Sequence, residues 1–166
     1  MTAYQIHGLD SAMDTAAFRC GQAPLDEYLY RYASQDVRRN VARIFVATPQ
    51  DDLRRIAGYY SLSAGSVHCA DLPPALAKKL PRYPVPVALV GRLAVDGAFQ
   101  SKGLGSILIS DACQKVAHAS TALAVVGMVV DAKDDVAAAF YRHFGFVDLP
   151  GQSGRLLLPA AAFALP

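Results

Sequence analysis

The residues best suited to chemistry form one short run, Gln100-Ser101-Lys102-Gly103-Leu104-Gly105, between a strand-like and a helix-like segment. Glycines at 103 and 105 let a backbone approach a ligand closely and adopt conformations other residues avoid. The helix that follows opens with unpaired N–H groups and the positive end of its dipole, which suits a pyrophosphate. Three phosphate-binding designs compete for such a loop. A Walker loop needs Gly-Lys-Ser/Thr after a four-residue spacer, which is absent. A dinucleotide fingerprint needs a third glycine, and Leu108 holds that place. What remains is Gln-x-x-Gly-x-Gly, which on its own is equally a plain structural turn.

A second run, Phe140-Tyr141-Arg142-His143-Phe144-Gly145-Phe146, carries a phenol among aromatic residues. Phe140, Phe144 and Phe146 read as core, and spacing alone gives Tyr141 the same reading. His7, His68, His118 and His143 are scattered and mark no general base. Cys20, Cys69 and Cys113 are odd in number and widely spaced, so they make neither a disulfide framework nor a zinc knuckle. Each reads as a small buried hydrophobe in a reducing compartment, and no metal site is expected.

These runs need elements to position them. Tyr4 to Gly8 predicts a short strand. Pro24-Leu25-Asp26 opens a helix that Asp26 caps, with Leu25, Tyr28, Leu29 and Tyr32 facing the core. Arg31, Gln35 and Arg38 form its solvent-facing stripe. Arg43–Thr48 and Arg55–Gly65 form a hairpin about the turn 49–52. A short helix over Pro73–Leu80 is followed by prolines 81, 84 and 86, which force an extended approach to a strand over Val87–Val95. Ser101–Ser120 reads as a helix, Leu123–Val130 as a strand buried on both faces, and Asp134–Phe144 as a helix ended by Gly145. Phe146–Leu149 and Arg155–Leu158 are the last two strands. The order β, α, β, β, β, α, β, α, β, β predicts an α/β (α+β) fold, a mixed sheet with helices on both faces.

At 166 residues, 53% hydrophobic and 18% charged, the chain fits one domain over 1–166 with its own core. The longest apolar run is too short to span a membrane, and the N-terminus has neither a basic region nor an apolar signal core. The expectation is a cytoplasmic protein with no membrane partner. Net charge is only +2, yet basic residues gather at Arg31, Arg38, Arg39 and Arg43, and again at Lys78, Lys79, Arg82, Arg92 and Lys102. They are either a solvated surface of mixed sign or a face for an anionic partner. Exposed aromatic platforms of the kind that hold single strands are not evident.

The glycine loop after the fourth strand, and the aromatic-Tyr pair followed three residues later by Gly-Phe, together resemble the GNAT acetyltransferases. A narrower resemblance joins Phe18-Arg19-Cys20-Gly21 with Leu25-Asp26-Glu27-Tyr28-Leu29, the run 58–67, and Arg92-Leu93-Ala94-Val95-Asp96. In that order they resemble the acetyltransferase toxins of bacterial toxin–antitoxin modules. The one departure is Asp134 where many GNAT enzymes carry Asn, and it still suits a helix cap.

The resemblance implies a GNAT fold with a mostly antiparallel, twisted sheet, and acetyl-CoA as cofactor. Gln100, Ser101, Lys102, Gly103, Leu104, Gly105 and Ser106 would hold its pyrophosphate, and the backbone of Leu93, Ala94 and Val95 its pantetheine. The Val95 N–H would polarise the thioester carbonyl, and Tyr141 would donate a proton or hydrogen bond to the coenzyme A sulfur. It also implies aminoacyl-tRNA as substrate, a small antitoxin as partner and a homodimer. Arg31, Arg38, Arg39, Lys78, Lys79, Arg82 and Arg92 would then meet phosphates. A base-poor site agrees, because an α-amine titrates near ~8 and a lysine near ~10.4. Two readings compete: an acetyltransferase for a small amine or a protein N-terminus, and a non-catalytic acyl-CoA-binding module.

Overall fold

Apolar runs of the expected lengths become seven strands: β1 (Tyr4–Gly8), β2 (Arg43–Pro49), β3 (Gly58–Val67), β4 (Val85–Val95), β5 (Gly127–Asp131), β6 (Val147–Asp148) and β7 (Arg155–Pro159). In the computed structural model, which describes residues 3–163, their hydrogen-bonded order is β1-β2-β3-β4-β5-β7-β6. Between them run α1 (Ala23–Glu27), a π-helical turn (Tyr28–Tyr32), α2 (Ala33–Arg38), α3 (Pro74–Ala77), α4 (Leu104–Ala119) and α5 (Asp135–His143). The expected mixed sheet, mostly antiparallel and accompanied by helices, is present.

The chain forms two compact units, and β3, β4 and α4 each contribute residues to both. The first holds the chain up to Ser63 together with Arg92–Ala112. Here β1 pairs antiparallel with β2, from Tyr4↔Pro49 to Gly8↔Phe45, and β2 with β3, from Arg43↔Leu62 to Ala47↔Gly58. Phe18, Leu29, Ile44, Val46, Ile56 and Tyr59 fill its core. Tyr59 and Tyr60 are both fully buried, and each hydroxyl finds a partner, Leu25 O at 2.7 Å and Asp111 Oδ2 at 2.6 Å. Gly58 is a packing requirement. A Cβ there would sit 3.0 Å from both Ala94 O and Leu108 Cδ1, so its absence lets α4 approach the strand.

The second unit holds Ala64–Gly91 and the chain from Cys113 onward. Its β4–β5 ladder is parallel, Ala88↔Met128 to Val90↔Val130, while β5–β7 and β6–β7 are antiparallel. Val67, Leu72, Val85, Val87, Val129 and Leu157 form the core.

Four sequence expectations need correction. The helix from Pro24 is interrupted by the π-turn, whose extra residue shifts the inward face, so Ala33 is buried and Tyr32 is 48% exposed. Asp26 does not cap that helix; its carboxylate accepts the Cys20 N–H at 2.9 Å. The fifth strand begins at Gly127 rather than Leu123, which is exposed. Cys69 is only half-buried, unlike Cys20 and Cys113. The described residues end in a 3-10 turn over Ala160–Phe163, in which Phe163 is buried.

Candidate active site

Strand β4 presents an open backbone edge. Its ladder to β5 ends at Val90↔Val130, five residues before the strand itself ends at Val95. On the other side, the Arg92 N–H donates to Ser61 Oγ at 3.1 Å and the Asp96 N–H to Ala57 O at 2.8 Å. Backbone groups alternate sides along a strand, so the N–H groups of Leu93 and Val95 face away from β3. These are the hydrogen-bonding groups an extended, amide-bearing chain such as pantetheine would need.

The turn after β4 is built by two side chains. Asp96 is buried and accepts from the Arg19 N–H at 2.9 Å and the Ala98 N–H at 2.9 Å, with Arg55 at 3.7 Å. The Gln100 amide nitrogen donates to Val95 O and Cys20 O, both at 2.8 Å, tying the loop back to the strand end. Ser101 (φ 63°) and Gly103 (φ 84°) are left-handed, whereas Gly105 already lies in the first turn of α4. The expected backbone freedom is therefore used at 101 and 103, and Gly105 is an ordinary helical residue. Such a loop, opening onto the N-terminus of a 16-residue helix, offers backbone N–H groups and a positive dipole end to a pyrophosphate. Ser101, Lys102, Gly103 and Ser106 are exposed, Gly105 half-buried and Leu104 buried.

Tyr141 lies on α5, in the second unit, and is 4% exposed. Asp134 caps the helix, accepting the Ala137 N–H at 2.8 Å, as the Asn-to-Asp departure allows. The Tyr141 ring packs between Phe140 and Phe146, with centroids at 5.3 and 5.4 Å. Its hydroxyl makes no hydrogen bond among the described residues. Burial, with a smaller push from the Asp131 carboxylate, raises its pKa far above that of an ordinary phenol. A hydroxyl that keeps its proton and has no internal acceptor is fit to donate to a ligand atom.

The acetyltransferase (GNAT) domain profile matches residues 40–148, which contain β4, the loop and α5. The chain belongs to the GNAT acetyltransferase family. A tRNA-acetylating toxin of Mycobacterium tuberculosis is 38% identical to this acetyltransferase over 150 residues, 90% of this chain and 88% of the toxin. The solved structure of AtaT complexed with acetyl-methionyl-tRNAfMet superposes with a TM-score of 0.90 at 29% identity, covering 96% of each chain. A tyrosine-to-phenylalanine variant of the AtaT toxin, bound to acetyl-CoA and the C-terminus of the antitoxin AtaR, gives 0.82 at 25%, covering 96% of this chain and 95% of that one.

In this acetyltransferase the basic residues divide between the units. Arg31, Arg38, Arg39 and Arg92 belong to the first, and Lys78, Lys79 and Arg82 to the second. Arg92 is half-buried, its guanidinium 3.5 Å from the centroid of the Tyr28 ring. Arg31 is exposed and lies 3.6 Å from Glu27. Arg38, Arg39, Lys78, Lys79 and Arg82 are exposed and form no ion pair among the described residues. Sequence reasoning missed the organising roles of Asp96, Gln100 and Tyr28, whose signal lay in buried polar types beside a glycine loop. It also missed exposed aromatics: Tyr30 (59%), Tyr32 (48%) and Tyr83 (69%) all face solvent.

His68, His118 and His143 are exposed, and His7 is engaged with Thr48 Oγ1 at 3.1 Å. No helix among the described residues is long and apolar enough to cross a membrane.

Proposed function

We propose that this chain is an acetyl-CoA-dependent N-acetyltransferase, a toxin that acetylates the α-amino group of aminoacyl-tRNA and so blocks translation. The carrying observation is the open β4 edge at Leu93 and Val95, continuous with a left-handed loop at the start of α4. Identity of 38% with a tRNA-acetylating toxin supports the substrate class.

Acetyl-CoA supplies an activated acetyl group as its thioester. The residues Gln100 to Ser106 hold the pyrophosphate, through N–H groups of the loop and helix start. Leu93, Ala94 and Val95 would align the pantetheine, and the Val95 N–H would be the donor available to polarise the thioester carbonyl. The α-amine arrives partly neutral at cellular pH, so its attack makes little demand on a general base. Tyr141 would supply the proton that the departing sulfur takes up, and the proton the amine loses on forming the amide would restore the phenol. Arg31, Arg38, Arg39, Lys78, Lys79, Arg82 and Arg92 meet the tRNA phosphates.

In this reading the chain is one acetyltransferase domain, acts in the cytoplasm as a homodimer, and is silenced by a small antitoxin. The AtaT complex with AtaR supports the last point by analogy. The test incubates wild-type and Tyr141→Phe protein with radiolabelled acetyl-CoA and a pool of charged bacterial tRNA. Label on the aminoacyl group with wild type alone is expected. Acetyl-CoA binding without label on tRNA overturns the tRNA reading and points to a small-amine substrate.

A further inference from the structure

An uninterrupted α-helix from Pro24 would bury Tyr32, one turn beyond Tyr28 and Leu29. The π-turn inserts a residue, the inward position passes to Ala33, and Tyr30 and Tyr32 both stand outside, flanking Arg31. Helical segments of this kind are rare and cluster at functional sites. The aromatic groups here also line up. The Arg92 guanidinium lies 3.5 Å over Tyr28, and the Tyr28 ring lies 6.5 Å from Tyr32, tilted 34°. The Tyr28 hydroxyl is held by Asp36 Oδ2 at 2.6 Å. A cation–aromatic ladder thus runs from the residue next to Leu93, at the candidate acetyl-CoA edge, outward to an exposed ring.

The surroundings are cationic. From Glu27 to Arg43 the chain carries four arginines and two acids: Asp36, whose carboxylate is engaged by Tyr28, and Glu27, which lies 3.6 Å from Arg31. Arg31 also sits 6.0 Å from the Tyr30 ring centroid. Exposed planar rings among arginines suit one class of partner: unpaired nucleotides, whose bases stack on the rings while the phosphates meet the guanidinium groups.

We infer that Tyr30 and Tyr32, two residues apart and so on different sides of the turn, are separate base-stacking platforms for the single-stranded end of an RNA, the Tyr32 ring leading toward the Arg92 end of the ladder. The inference rests on the proposed tRNA reading and adds the part of the substrate gripped here. Stacking needs a ring and no hydroxyl, so Phe substitutes for Tyr and Ala does not.

The experiment measures binding of the full chain to a labelled ten-nucleotide single-stranded RNA and to a duplex of equal length. It compares wild type with the double variants Tyr30→Ala/Tyr32→Ala and Tyr30→Phe/Tyr32→Phe. Expected is a loss of about tenfold per ring for the Ala pair on the single strand. The Phe pair keeps wild-type affinity, the duplex affinity changes little, and the melting temperature holds because both rings are exposed. Equal single-strand affinity in the Ala pair overturns the inference, as does an equal loss in the Phe pair. So does an Ala pair that weakens self-association or antitoxin binding while holding RNA normally, which would assign the face to a protein. A parallel assay of acetyl transfer to charged tRNA separates the two readings. Ring-dependent RNA binding without transfer leaves the platforms standing and removes the tRNA substrate; transfer with an unchanged KM in the Ala pair, and unchanged RNA binding, does the reverse.

Discussion

A phenol buried between two phenylalanines is poorly placed to become an anion, and Tyr141 accordingly stays protonated throughout the range in which the enzyme works. Its acid form therefore sets no alkaline limit on the rate. kcat/KM for an α-amine substrate is expected to rise with pH through about 8, as the amine loses its proton, and then level off. A descending limb below pH ~10 that vanished in Tyr141→Phe would contradict this assignment. Tyr141→Phe itself should lower kcat by about 10²-fold or more with little change in the KM for acetyl-CoA, because only the donated proton is lost. Asp96 acts differently, since it touches only protein groups. Its replacement by Ala leaves the Arg19 and Ala98 N–H groups without their acceptor and Arg55 without its partner. A loss of about 3 kcal/mol is expected, seen as a fall of roughly 6–12 °C in Tm together with a raised KM for acetyl-CoA. A variant with unchanged Tm would show that the turn after β4 is held by something else.

At the level of elements, strand positions were legible because apolar runs and turn residues mark them directly. The β2–β3 hairpin and the Asp134 cap follow from local sequence alone. The Gln100 loop was legible as a strand-to-helix junction, yet the residues using left-handed backbone are Ser101 and Gly103, and Gly105 was misread. Residue type reports which conformations are allowed, and the surrounding hydrogen bonds select among them. The π-turn was invisible for a related reason. Leu25, Tyr28, Leu29 and Tyr32 satisfy an α-helical period perfectly well, and only tertiary packing decides that Ala33 takes the inward place. Burying a side chain of that size is worth on the order of 1.5–3 kcal/mol, so leaving Tyr32 outside is not explained by stability.

For the molecule as a whole, a net charge of +2 gives little long-range field, and RNA attraction must come from local groups. Five of the seven basic residues proposed to meet phosphates are exposed and form no ion pair among the described residues. If these five each neutralise one phosphate, tRNA affinity should fall on the order of 10²-fold between 50 and 200 mM salt. Initial rates at subsaturating tRNA, measured across that range, provide the check; a salt-insensitive KM would remove the basic residues from the interface.

The early end of the β4–β5 ladder has a consequence for timing as well as for binding. Amides at Leu93 and Val95, which lie beyond the end of the β4–β5 ladder among the described residues, should exchange their hydrogens quickly in the ligand-free protein, although they lie in the middle of the strand order. Adding acetyl-CoA should slow them selectively, with the Ala88–Val90 amides barely altered because the parallel ladder already covers them. The cofactor would then serve as a missing length of strand, and local opening of the sheet would be governed by how long each molecule of it stays bound.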